Sequence, residues 1–160
     1  MSRVIMRWWM VATVAILSMG AHAQAENPFI GTWDLDLAGS QFGGAAPPVR
    51  MSRSYGTLGD GSYMYLVVVT NEDGSLGGSS ATYRFDGAQY PIATLNQTVQ
   101  ANISYRIINE RNVEYTVWVG GQVTQIGAKT VSPNGSQLTI AIQYPNSSQA
   151  NQILRFNRRP

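Results

Sequence analysis

The chain carries one histidine, His22, and no cysteine. Nine acidic residues complete its supply of strong acid–base groups: Glu26, Asp34, Asp36, Asp60, Glu72, Asp73, Asp86, Glu110 and Glu114. His22 lies in an N-terminal segment with the layout of a cleavable export signal. Arg3 and Arg7 give it a positive start, and residues 8–19 are a mostly apolar run. Ala21-His22-Ala23 or Ala23-Gln24-Ala25 then supplies a small-x-small cleavage site. The apolar run is about a dozen residues, below the roughly 20 that cross a bilayer as a helix. If this leader is removed, the mature chain has neither His nor Cys. Ser-His-Asp and Cys-His catalysis, and the usual zinc and haem ligand sets, then have no residues to use. No catalytic residue, metal site or cofactor is expected.

Carboxylates alone could still act as paired acids and bases. However, Asp60, Glu72, Asp73 and Asp86 sit in turn-forming sequences, and Asp34 and Asp36 share a polar strand face. The expectation is a protein that is not an enzyme.

The same leader reshapes the charge argument. The full chain has 11 Lys and Arg against 9 Asp and Glu. Loss of Arg3 and Arg7 leaves a balanced mature chain, without the clustered excess of cations that binding to phosphate backbones requires. The sequence therefore argues against a nucleic-acid partner. The absence of cysteine also excludes lipid attachment at a lipoprotein cysteine. The expected location is the periplasm of a bacterium, or secretion from it, with no membrane span once the leader is gone.

The elements that would position any site are strands. Domain boundaries are read as 1–25 for the leader and 26–160 for a single domain. Asp60-Gly61, Glu72-Asp73-Gly74, Asp86-Gly87, Gly120-Gly121, Asn134-Gly135 and Pro145-Asn146 punctuate the domain at short intervals. Asp-Gly and Asn-Gly pairs favour the tight turns that join antiparallel neighbours. Between them the spacing predicts strands at roughly 30–37, 49–58, 62–70, 79–85, 88–92, 98–108, 112–119, 122–131, 136–144 and 151–158. Trp33, Leu35 and Leu37 alternate with Thr32, Asp34 and Asp36. Val113, Tyr115, Val117 and Val119 alternate with Glu114, Thr116 and Trp118. One apolar and one polar face per strand marks strands wrapped round a single core. Residues 63–69 are apolar on both faces, so their phase stays open. The outer phases carry Asp, Glu, Gln and Thr, unlike the apolar outer band of a membrane barrel. The fold class is thus all-β, an antiparallel up-and-down meander of about 8–10 strands closing into one barrel.

Asn27-Pro28-Phe29-Ile30-Gly31-Thr32-Trp33-Asp34-Leu35 resembles the Gly-x-Trp entry of lipocalins and the wider calycin barrels. Ala38-Gly39-Ser40-Gln41-Phe42 with its Pro-rich continuation, residues 85–91, and residues 131–139 are similar, in the same order, to segments of small exported bacterial lipocalin-like domains. That resemblance implies a calycin-type barrel with Trp33 plugging the closed end and an Arg of the last strand lying across it. An even strand count brings the last strand beside the first, and Arg158 continues the phase of Leu154 and Phe156. Arg155 takes the role if the phase slips by one. The pair would be structural, with no part in binding.

The resemblance implies an open end as well. The link at residues 38–48 would lie there, either as a flap over a ligand or as a mobile linker with Phe42 covering the barrel. Tyr65, Tyr83, Tyr105 and Tyr115 are the candidates for lining an interior, each pairing an apolar ring with a hydroxyl that needs a partner when buried. Arg84 and Arg106 read as solvent-facing. Two functions remain open at this point. One is binding a small apolar or amphipathic ligand in the barrel. The other is a structural or interaction domain with a filled interior, meeting another envelope protein through Trp118 or an edge strand.

Overall fold

The computed structural model describes residues 27–96 and 98–160; the expected leader and its cleavage sites lie outside the described residues. Ten strands follow one another: β1 (Gly31–Gln41), β2 (Arg50–Thr57), β3 (Tyr63–Thr70), β4 (Leu76–Tyr83), β5 (Tyr90–Thr94), β6 (Ala101–Asn109), β7 (Asn112–Val119), β8 (Gln122–Val131), β9 (Gln137–Gln143) and β10 (Gln152–Arg158). Each pairs antiparallel with its sequence neighbours, and β1 pairs with β10, so the sheet closes on itself. The architecture is a closed, ten-stranded, up-and-down barrel, and no described residue is helical.

Every expected strand is present, with ends shifted by a few residues. One boundary needs correction. Residues 38–41 belong to β1 and not to a link, because the strand continues through an irregularity between Asp36 and Gln41. There the Asp36 carboxylate accepts the Gly39 amide at 2.9 Å and the Asp36 carbonyl accepts the Ser40 hydroxyl at 2.6 Å. Closure also leaves no free edge strand for a partner to extend.

The interior follows from the alternation. Tyr65 and Val67 point inward from β3 while Met64, Leu66 and Val68 stay exposed, which settles the phase of that segment. Tyr55, Tyr83, Ile103, Tyr105, Val113, Tyr115, Leu138, Ile140, Leu154 and Phe156 complete much of the core. Burying such rings and branched chains is the main source of stability, about 1.5–3 kcal/mol for each side chain removed from water.

Candidate functional site

The two ends of the barrel are built differently. At one end Trp33 is fully buried and donates its indole N–H to the Phe29 carbonyl at 2.9 Å. Arg158 stands opposite it in the β1–β10 register, with its guanidinium carbon 4.1 Å from the ring centroid. That guanidinium is well supplied with acceptors: Nε donates to the Gly135 carbonyl at 2.7 Å, Nη1 to Ile30 at 2.7 Å and Nη2 to Pro28 at 2.5 Å. Gly31 makes the approach possible. It sits at φ +128°, and a Cβ there would lie 2.7 Å from Nη1. Arg158 is thus the residue that lies across Trp33. Arg155 instead reaches out to the Gly39 carbonyl.

At the other end, residues 42–48 overhang a recess of about 670 Å³ walled by Met51, Val69, Gln152 and Leu154. Gln152 latches this segment by donating to the Phe42 carbonyl at 2.9 Å, and its own carbonyl accepts the Tyr144 hydroxyl at 3.0 Å. Phe42 therefore sits over the recess, in the position of a flap. Along β2 the inward-facing residues run Met51, Arg53, Tyr55, so Arg53 lies one rung deeper than the recess wall. Its guanidinium rests 5.5 Å from the Phe156 ring, and its buried Nε has no hydrogen-bond partner.

The four tyrosines proposed as lining residues are all buried inside the barrel, at 2–6 % exposure. They pack on one another: Tyr83 and Tyr105 rings are 4.1 Å apart, Tyr105 and Tyr115 6.0 Å, Tyr65 and Tyr83 6.2 Å. The space left beside Tyr83 and Tyr105 is a void of only about 10 Å³. Tyr115 lies over Gly127 of β8, where any Cβ would collide with its ring. The interior around these four residues is filled.

What they surround escapes a reading of the sequence by polarity. Lys129, the single lysine of the chain, is 3 % exposed in the middle of the barrel. Its Nζ lies 4.4 Å from the ring centroid of Tyr105, 4.7 Å from Tyr55, 5.2 Å from Tyr115 and 5.7 Å from Tyr65. It donates to the Tyr105 hydroxyl at 2.8 Å. The signal that could have found it is strand phase: Lys129 shares its face with Gly127 and Val131, both buried. Arg53 and Tyr55, on the inward phase of β2, escape in the same way.

The electrostatics follow from burial without an acid. Among the described residues, no carboxylate is buried. Burial drives the Lys129 ammonium down to about 8; the Tyr55 phenol opposes this and Arg53 adds to it. Burial pushes the Tyr55 phenol up, but Lys129 and Arg53 together outweigh that and leave it below its ordinary value. Burial also works against the Arg53 charge, which the phenols of Tyr55 and Tyr115 nevertheless favour. Tyr65, Tyr83, Tyr105 and Tyr115 are all raised, first by burial. Arg84 and Arg106 face solvent, paired with Asp60 at 3.1 Å and Glu114 at 2.6 Å.

A further recess, of about 280 Å³, opens at the Trp33 end beside the β6–β7 hairpin. Pro28, Phe29, Phe85, Ile107, Arg111 and Val113 are among its walls. Phe29, Phe85 and Val113 also bound the small void next to Lys129.

No family model matches the sequence, and no curated protein matches it. Among solved structures, the chain is similar to fatty-acid-binding protein 1 of Echinococcus granulosus, with a TM-score of 0.60 and 13 % identity over 83 % of this chain and 98 % of that one. It is also similar to the wild-type fluorescent protein UnaG, with a TM-score of 0.53 and 12 % identity over 82 % and 97 % of the two chains. The amine-binding protein of Rhodnius prolixus, solved with tryptamine, gives a TM-score of 0.51 and 9 % identity over 84 % of this chain and 65 % of that one. At these identities the likeness is one of fold.

Proposed function

We propose that this barrel binds a small amphipathic molecule at its open end, with the apolar part under the 42–48 flap and an acidic end directed toward Arg53. The observation that carries this reading is the 670 Å³ recess with half-buried Arg53 one rung below it, its buried Nε without a hydrogen-bond partner, and no buried carboxylate among the described residues. A buried N–H ordinarily has an acceptor. A ligand acid would supply the missing one, by a charge-assisted bond. Similar barrels named for fatty acids and amines support small-molecule binding without choosing the ligand.

The work would take place outside the cytoplasm, after export and cleavage behind Ala23 or Ala25, in a bacterial envelope or its surroundings. Support comes from the leader-like N-terminus and the cysteine-free chain. Mature protein recovered from the periplasm or medium should begin at Gln24 or Glu26.

Titration with anilinonaphthalene sulfonate, an acidic apolar fluorophore, tests the binding site. Wild-type protein should bind it saturably, Met51→Trp should block it by filling the recess, and Arg53→Met should weaken it about tenfold, the size of one charge-assisted bond. Equal binding by all three proteins would refute the reading. The filled core around Tyr105 favours a second account, a domain that meets an envelope protein through its outer surface. That account predicts no saturable binding of the probe.

A further inference from the structure

We infer that the outer face of β2, β3 and β4 is a contact between two copies of this chain, which pair through a twofold axis passing beside Leu66.

Strand phase builds this face. With Tyr65 and Val67 turned into the core, β3 sends Met64, Leu66 and Val68 outward, at 38, 45 and 39 % exposure. Among the described residues, no other strand exposes three large apolar side chains. The flanking strands leave this stripe raised. The register sets Met64, Leu66 and Val68 between Gly56, Ser54 and Ser52 of β2 and Thr82, Ser80 and Gly78 of β4. The barrel does not demand glycine at position 56, since a Cβ there would meet only the Met64 side chain, at an ordinary 3.6 Å. Neither β3 nor β4 carries a charged residue. An apolar ridge on a bed of small, uncharged residues invites close approach by another protein surface.

Charge at the two ends of the face says which surface that is. Asp60 and Arg84, paired at 3.1 Å, lie at the Tyr63 end, while Arg50 stands opposite Thr70 at the other end, beside the β3–β4 turn that holds Glu72 and Asp73. A twofold axis crossing β3 in the plane of contact lays each strand antiparallel on its own copy, with Leu66 over Leu66 and Met64 over Val68. That axis also sets Arg84 against the partner's Glu72 and Asp73, and Arg50 against the partner's Asp60. Opposite charges meet at both ends, so the face is complementary to itself. A bilayer surface fits less well. Three acids against two arginines leave the rim slightly negative, which anionic headgroups repel.

The size of the face sets the strength of pairing. Its three strands have eight residues each. At about 3.4 Å per residue and about 4.8 Å between strands they present roughly 400 Å². A stable interface of standard size covers about 800 Å² on each copy. The dimer is therefore weak and forms as concentration rises. The face lies outside the barrel and is independent of the open-end reading, so loss of pairing and loss of probe binding are separate results.

Sedimentation velocity across a concentration series tests the contact. Wild-type protein is expected to pass from monomer to dimer as concentration climbs through the micromolar range. Leu66→Glu and Leu66→Arg should each stay monomeric, because a residue on the axis meets its own copy and like charges then face each other. An equimolar mixture of the two variants should recover the dimer, as unlike charges meet. Arg84→Glu should weaken pairing about tenfold by setting acid against acid at the rim. Leu66 is well exposed, so its variants should keep the wild-type unfolding midpoint, which separates a lost contact from a lost fold. Wild-type protein that stays monomeric up to the millimolar range, a dimer that survives both Leu66 substitutions, or a mixture that fails to pair would overturn the assignment. So would Leu66-dependent binding of the monomer to phosphatidylglycerol vesicles, which would make the face a membrane contact instead.

Discussion

Arg158 and Lys129 are both cations pressed against aromatic rings in the same barrel, yet they are accommodated in opposite ways. Arg158 lies over Trp33 with three backbone carbonyls taking its protons, so its charge is spent on closing the barrel end. Lys129 is enclosed by four tyrosine rings, with the Tyr105 hydroxyl accepting one proton. The first is a finished structural device. The second is a buried charge met by phenols and ring faces instead of backbone carbonyls, which leaves its ammonium below the ordinary lysine range.

The largest effect expected from this contrast comes from Arg158→Met. Removing the guanidinium strands three carbonyls near the Trp33 end and forfeits the ring contact, at a cost of about 3 kcal/mol or more. Denaturant midpoints should show it, and Arg158→Lys should recover only a minor part, because one ammonium lacks the fork that reaches all three acceptors. An unchanged midpoint would mean that the plug is decorative.

Lys129→Met should act with the opposite sign at neutral pH, raising stability by about 1–3 kcal/mol as a buried charge is replaced by an apolar chain. A loss of several kcal/mol instead would place Lys129 beside Arg158 as a structural residue.

The pH profile sharpens the same point. A lysine held at about 8 in the fold and near 10.4 in the unfolded chain leaves the unfolded state holding more protons between those values. Stability therefore rises with pH from about 8 toward 10. Above about 10 the order reverses. Tyr65, Tyr83, Tyr105 and Tyr115 resist ionisation in the fold but ionise freely when unfolded, so stability falls again, with Tyr55 alone of the buried ring opposing the fall. Lys129→Met should keep the fall and lose the rise, as read from unfolding midpoints from about pH 7 to 11, the span of these ionisations.

Gly127→Ala comes next, at about 1–3 kcal/mol of destabilisation, because the new methyl must displace the Tyr115 ring. The smallest effect belongs to Arg106→Ala. Its pair with Glu114 is well exposed, so melting temperatures should barely move.

How far the molecule is legible in its sequence varies by region, for physical reasons. The strands are readable because their turns need particular residues: Gly61 and Gly135, for example, adopt φ of +81° and +70° in turns that Asp-Gly and Asn-Gly announce. The meeting of Trp33 and Arg158 is reachable because closure of an even-stranded meander dictates which strands meet. The end of β1 is harder to read because Asp36 satisfies the backbone through an irregularity, which small residues at 38–40 conceal. Lys129 and Arg53 escape notice because polarity suggests an outward side chain. Strand phase says otherwise, since each shares a face with a buried neighbour, Val131 and Tyr55 respectively. Polarity and phase conflict at those two positions, and such conflicts are expected where function overrides packing.

The most direct test of the contrast uses the solitude of Lys129. Protein labelled with ¹³C-lysine gives one set of lysine side-chain signals, and the Cε shift can be followed by NMR from neutral to strongly alkaline pH. Titration of the folded protein with a midpoint of about 8 is the predicted result. A midpoint near 10.4, the value of a lysine in water, would contradict the buried amine on which the account rests.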